Sequence, residues 1–157
     1  MNKSMIAAVM MGSLVCASVC LAEDKQEAGT ACKPSVEQRD NLRFEGADWS
    51  AMSFSRMNLM EREFVFLRLN DADFAHARLR GAVCSGARSH DGKFFGVRAA
   101  MANFSHACLK GADFRKADLR EADFTGASLR GARWWGAKLS GTVWKNTVCP
   151  DGTNSDA

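Results

Sequence analysis

The residues with chemical potential in this chain are its cysteines, its three histidines and a series of regularly spaced aspartates. Cys16 and Cys20 sit in an N-terminal apolar run, which leaves Cys32, Cys84, Cys108 and Cys149 in the body of the chain. Four thiols in an exported protein allow three disulfide pairings. Thiols and imidazoles are also the material of metal sites and of nucleophile–base couples. His76, His90 and His106 have neither the helical nor the ribbon spacing of metal ligands, so each is expected on the solvated surface. Ser85, Ser89 and Ser105 have histidines nearby in sequence, without a motif that would join them. Asp113, Asp118 and Asp123 recur every five residues, whereas an acid–base pair needs two carboxylates converging on one point. The chain has no Gly-rich phosphate loop. No catalytic residue, cofactor, metal or small-molecule substrate is therefore expected.

The spacing of the aspartates belongs to a larger pattern. From Phe44 to Trp144, every fifth residue is an anchor, and 18 of the 21 anchors are Phe, Leu or Trp. The exceptions are Cys84, Ser89 and Ala99. Two residues before the anchor stands Ala in 13 of 21 units. Neither a helix nor a strand has a period of five. With the anchor as position i, a unit reads small at i−2, polar at i−1, large at i, polar at i+1, and Gly or polar at i+2. Ala112-Asp113-Phe114-Arg115-Lys116 shows it clearly. Two inward positions in five require a chain that bends once per unit.

Residues 42–146 resemble the pentapeptide-repeat family, whose units follow Ala-(Asp or Asn)-Leu/Phe-x-x. The resemblance implies an all-β fold, a right-handed quadrilateral β-helix with four units per coil and about five coils. The bottom-up reading agrees, because stepping by twenty residues sorts the anchors into four columns. Phe64, Cys84, Phe104, Phe124 and Trp144 follow Phe44 in the first. Trp49, Leu69, Ser89, Leu109 and Leu129 form the second. Phe54, Phe74, Phe94, Phe114 and Trp134 form the third, and Leu59, Leu79, Ala99, Leu119 and Leu139 the fourth. The core is expected from Phe54, Phe64, Phe74, Phe104, Phe114, Phe124, Leu109, Leu119, Leu129 and Leu139. At about 4.8 Å per coil, five coils make a rod roughly 25 Å long.

Some units strain this plan. Arg62 at i−2 is expected to turn outward or find Glu61 or Glu63, because a buried unpaired guanidinium is very costly. Met52, Met57, Leu67 and Val97 also exceed the small size expected at i−2. The coil with Cys84, Ser89 and Ala99 lacks apolar filling, and Ser89-His90-Asp91-Gly92 is expected to bulge. Cys84 falls inward as a buried free thiol, while Cys108 faces outward. An intermolecular bond through Cys32, Cys108 or Cys149 is the competing expectation, and with it a dimer. The tail Cys149-Pro150-Asp151-Gly152 resembles the closing segment of exported family members, without the second cysteine that follows there.

The flanks complete the plan. Residues 1–22 read as a signal peptide: Lys3, an uncharged run and the small-x-small end Cys20-Leu21-Ala22. Cleavage near Ala22 would leave no membrane span and a periplasmic or secreted protein. Residues 23–41 are expected to form an N-terminal segment with a short helical cap over Pro34–Asn41. Residues 147–157 form the tail, which with Trp134, Trp135 and Trp144 is expected to close the upper end.

Between Phe44 and Lys145 there are 16 Lys or Arg against 11 Asp or Glu, a positive surplus. Arg68, Arg88, Lys110 and Arg130 climb the second face. Arg78, Arg80, Arg98, Arg120 and Lys138 climb the fourth, opposed by Asp118. The first face carries Val65, Phe66, Val83 and Val143. The expected function is a non-enzymatic, exported structural or protein-interaction module. Its partner would be a protein or an anionic component of the envelope, met through the basic faces. The resemblance also implies a second reading, a mimic of duplex DNA that binds a type II topoisomerase such as gyrase. That role needs an anionic rod, and this one is cationic. Nucleic acid is not the expected partner, since only Phe95 and Trp135 offer exposed rings for stacking.

Overall fold

Each five-residue unit turns its own corner, and all corners turn alike. The computed structural model describes residues 47–156, which fall within the unit Arg43–Ala157. The expected signal peptide, the helical cap, Cys32 and Phe44 lie outside the described residues. At a typical corner Ala117 N–H donates to the Phe114 carbonyl at 3.1 Å and closes a β-turn. The third residue of that turn, Lys116, has φ of 58°, as a type II turn requires. The same position is left-handed at every corner from Ala51 to Asn146, and twelve of these residues are not glycine. Holding an ordinary residue there costs about 1–2 kcal/mol. The repeated pairing between coils must outweigh that cost. At Gly86 glycine is favoured for a second reason: the Phe66 ring from the coil below occupies the space a Cβ would need and would have to move.

Stacking pairs each coil with the next. Parallel bridges join residue n to residue n+20 along all four faces, from Asp48↔Arg68 to Ser128↔Val148. Around Phe114 the donors can be counted in full. Asp113 N–H reaches Gly92 O at 2.9 Å below, Phe114 N–H reaches Arg133 O at 2.8 Å above, and Lys116 N–H reaches Trp135 O at 3.0 Å. With the turn bond of Ala117, only the i+1 amide lacks a backbone acceptor in a unit that has a coil both below and above it. An Asp or Asn at i−1 supplies one. Asp73, Asn103, Asp113 and Asp123 accept the amides of Ala75, Ser105, Arg115 and Thr125 at 2.8–3.1 Å. An Asp or Asn at i−1 thus serves a backbone donor that the coils leave unpaired.

The anchors fill the axis. Phe54, Phe74, Phe94, Phe114 and Trp134 stack face to face at centroid separations of 4.7–5.1 Å. Rings of the first column enter between them edge-on, at 5.6–6.5 Å. Such geometries add about 0.5–1.5 kcal/mol per pair to simple burial. Of the expected core, Leu139 alone is not buried. It is 36% exposed, because it belongs to the last coil and nothing stacks above it.

The weak coil does not bulge. Arg68↔Arg88↔Cys108 and Asp73↔Lys93↔Asp113 pass through it without interruption. Ser89 is fully buried and donates its hydroxyl to Leu69 O at 3.1 Å, so the small anchor is satisfied rather than vacant. Val97, also fully buried, gives bulk at i−2 in the unit whose anchor is only Ala99. Arg62 is exposed, as its charge demands. Leu67 is buried, and Met52 and Met57 are half-buried.

At the upper end the chain reverses. Val148 pairs antiparallel with Asn154, Cys149 N–H donates to Thr153 O at 2.7 Å, and Ser155 N–H donates to Thr147 O at 2.9 Å. Trp134 and Trp144 continue the ring columns. Trp135 does not help to close the end; it is 73% exposed on the third face.

Candidate functional site

The outward residues of each face stand in ladders, because i−1 stacks on i−1 and i+1 on i+1 in the coil above. All eight basic residues singled out from the sequence are exposed: Arg68, Arg88, Lys110 and Arg130 on the second face, Arg78, Arg80, Arg98 and Arg120 on the fourth. Their surroundings differ.

On the fourth face, Arg120 grips Asp118 with two parallel bonds of 2.8 Å. This fork holds the Asp118 carboxyl below its ordinary value of 3.8 and raises Arg120, and Lys138 on the next coil lowers Asp118 further. Arg120 is therefore already committed. Arg78 and Arg98 bridge coil to coil and form no ion pair among the described residues. Arg80 Nη2 donates to the Met101 sulfur at 3.9 Å and forms no ion pair among the described residues. These three guanidinium groups, with Met60 and Met101, line an open groove of about 510 Å³. Glu121 also lines it, so three uncommitted guanidinium groups stand against one carboxylate and the surplus is positive. Its floor is partly apolar, and it suits a carboxylate or phosphate group that brings some apolar surface.

The third face is also positive, with Arg56, Lys93, Arg115, Lys116 and Arg133 against Asp73 and Asp113. Arg115 forks Asp113 at 2.7–3.1 Å, which holds the Asp113 carboxyl low, helped by Arg133. Lys116 lies 5.6 Å from the Phe95 ring and 5.9 Å from Trp135. On the first face Phe66 is 60% and Val143 46% exposed, but they are separated by several coils.

The second face holds a contact that sequence spacing did not suggest. His90 Nε2 lies 3.0 Å from Cys108 Sγ. The two belong to successive coils and meet diagonally across the anchor column. Among the described residues the three cysteines are unbonded: Cys84 is buried, while Cys108 and Cys149 are half-buried. Burial pushes the Cys84 thiol up to about 12. No cluster of three or more His, Cys, Asp or Glu among the described residues is placed to hold a metal ion.

Known proteins identify the architecture. The sequence pattern of pentapeptide repeats matches residues 68–88 and 102–133, in eight copies. The chain therefore carries pentapeptide repeats, and its repeat region is a pentapeptide-repeat right-handed β-helix. Among solved structures it is similar to HetL, a pentapeptide repeat protein involved in heterocyst differentiation regulation from the cyanobacterium Nostoc sp. strain PCC 7120. The identity is 28%, the TM-score 0.57, and the match covers 70% of this chain and 54% of HetL. A trypsin-treated form of QnrB1, a plasmid-mediated fluoroquinolone resistance protein, matches with 21% identity and a TM-score of 0.51. That match covers 63% of this chain and 50% of QnrB1, and it shows a shared fold alone. The chain spans about half the length of these two structures. No curated protein matches the sequence.

Proposed function

We propose that this chain is a non-catalytic, exported interaction rod that docks an acidic protein surface on its fourth face. The observation that carries the reading is the row of Arg78, Arg80 and Arg98, exposed and in no ion pair among the described residues, beside an open groove. Guanidinium groups without an internal partner favour bidentate capture of external carboxylates. The repeated core explains the patterned residues, and the surface is left for recognition. A DNA-mimic role is disfavoured by the same charges, which have the wrong sign.

The test is in-cell crosslinking followed by mass spectrometry, comparing the native protein with an Arg78→Glu/Arg98→Glu variant. The expected result is loss of the main crosslinked partner on charge reversal, and weakening of the native complex in high salt. An unchanged partner set would refute the reading. Intact-mass analysis of the native protein addresses export separately: a mature start near Glu23 is expected, and a retained Met1 would remove export.

A further inference from the structure

We propose that Cys108 and His90 form a thiol–imidazole couple that undergoes exchange with anionic disulfides. The geometry carries this in three ways. His90 Nε2 is 3.0 Å from Cys108 Sγ, within reach to take the thiol proton. The histidine is positioned from its own backbone, since His90 N–H donates to Asn70 Oδ1 at 3.1 Å. The thiol is half-exposed, so a disulfide can approach it, and the residue stacked above it is the small Ser128.

The surroundings select the charge of the disulfide. Arg88 lies directly below Cys108 in the ladder and Ser128 directly above. Lys110 follows on the same coil and Arg130 stands on the coil above, both exposed. Two carboxylates are near: Asp91, whose Oδ1 sits against Gly111 at the corner, and Asp71 one coil below, whose N–H donates to His90 O at 2.8 Å. Three cations against two carboxylates leave a positive surplus that favours a disulfide bearing negative charge. The other thiols lack this setting. Cys84 is sealed in the core. Cys149 makes only a 3.9 Å contact to the Thr147 carbonyl and has no imidazole beside it.

The chemistry balances without a further oxidant. His90 accepts the Cys108 proton, and the sulfur attacks one sulfur of the incoming disulfide. A new S–S bond to Cys108 forms as the original S–S bond breaks. The departing thiolate takes the proton back from the imidazolium. The disulfide is the oxidant, one half of it is released as thiol, and Cys108 is left in a mixed disulfide.

The experiment uses the full chain and two small disulfides, dithiobis-nitrobenzoate, which carries a carboxylate on each half, and cystamine, which is cationic. Modification at Cys108 and Cys149 is timed by peptide mass mapping. The expected result is that dithiobis-nitrobenzoate labels Cys108 roughly tenfold or more faster than Cys149. His90→Gln abolishes that advantage near neutral pH. His90→Asn, a second exposed-site variant, is expected to behave alike. The Cys108-to-Cys149 rate ratio, which cancels the probes' different intrinsic reactivity, is larger with the carboxylate probe than with cystamine, and salt reduces that difference. Equal rates at Cys108 and Cys149, or no effect of either His90 variant, would overturn the couple. Equal Cys108-to-Cys149 ratios for the two probes would overturn the preference for anionic disulfides.

Discussion

Asn103 Oδ1 accepts the backbone N–H of Ser105 at 2.8 Å, reaching past the anchor Phe104 to satisfy the one amide of the unit that the coils leave unpaired. Neutral hydrogen bonds of this kind contribute about 1 kcal/mol net. Asn103→Ala should therefore lower stability by about that amount, read as a shift in the urea midpoint. Lys93→Ala, at the same i−1 position of its unit but without a side-chain bond, should stay within about 0.5 kcal/mol. Equal losses in the two variants would show that the amide is served as well by water.

Trp134 continues the ring column on Phe114 at 4.8 Å, but its Nε1–H is buried without a partner. Every ring beneath it in the column is Phe. Trp134→Phe keeps the stack and removes an unsatisfied donor, whose burial costs about 1–3 kcal/mol. Some apolar area is lost with the second ring. The variant should be as stable as the parent or more so. A clear drop in the urea midpoint would mean that the larger ring's packing outweighs the orphaned donor.

Cys84 should be chemically silent in the folded protein. It is 5% exposed, and burial raises its thiol to about 12, so almost no thiolate exists at neutral pH. Iodoacetamide labelling of the native protein should leave Cys84 unmodified and capture it only in denaturant. Labelling at the rate of Cys149 without denaturant would reveal opening of the coil.

Acid should weaken the repeat region through Asp113 and Asp118. The Arg115 and Arg120 forks hold both carboxyls below their ordinary 3.8 in the folded protein. A depressed folded value means that the stabilisation is complete above the unfolded value and lost as pH falls through the folded one. Stability should be flat above about pH 5 and decline below about pH 4. Both arginines are largely exposed, so the decline should be modest and smaller in salt. Asp113→Asn/Asp118→Asn should flatten it.

The fold was legible because the core obeys a strict arithmetic. A residue meets the one twenty places on, so the aromatic columns could be sorted from Phe54, Phe74, Phe94, Phe114 and Trp134 alone. What escaped was anything that departs from vertical stacking. His90 stacks under Lys110 by that arithmetic and Cys108 over Arg88, yet the two meet at 18 residues' separation on the diagonal. An outward residue thus meets both flanks of the next coil, and the diagonal pair lies at 18 residues rather than twenty. Ser89 departs from the expected vacancy for a related reason. Its size suggested a vacancy, whereas its hydroxyl has a carbonyl to bind, Leu69 O. Leu139 has the right residue type, but burial also depends on whether another coil lies above.

The exchange of neighbours at twenty residues also governs how such a chain can change length. Inserting or deleting one unit of five keeps the core pattern intact, since one anchor replaces another. It nonetheless rotates every later unit by a quarter turn, so that second-face residues arrive on the third. A single unit gained between His90 and Cys108 would carry the thiol to a different side from the imidazole. Only a whole coil can be added or lost without scrambling the faces, and that asymmetry makes the surface far more sensitive to genetic indels than the core.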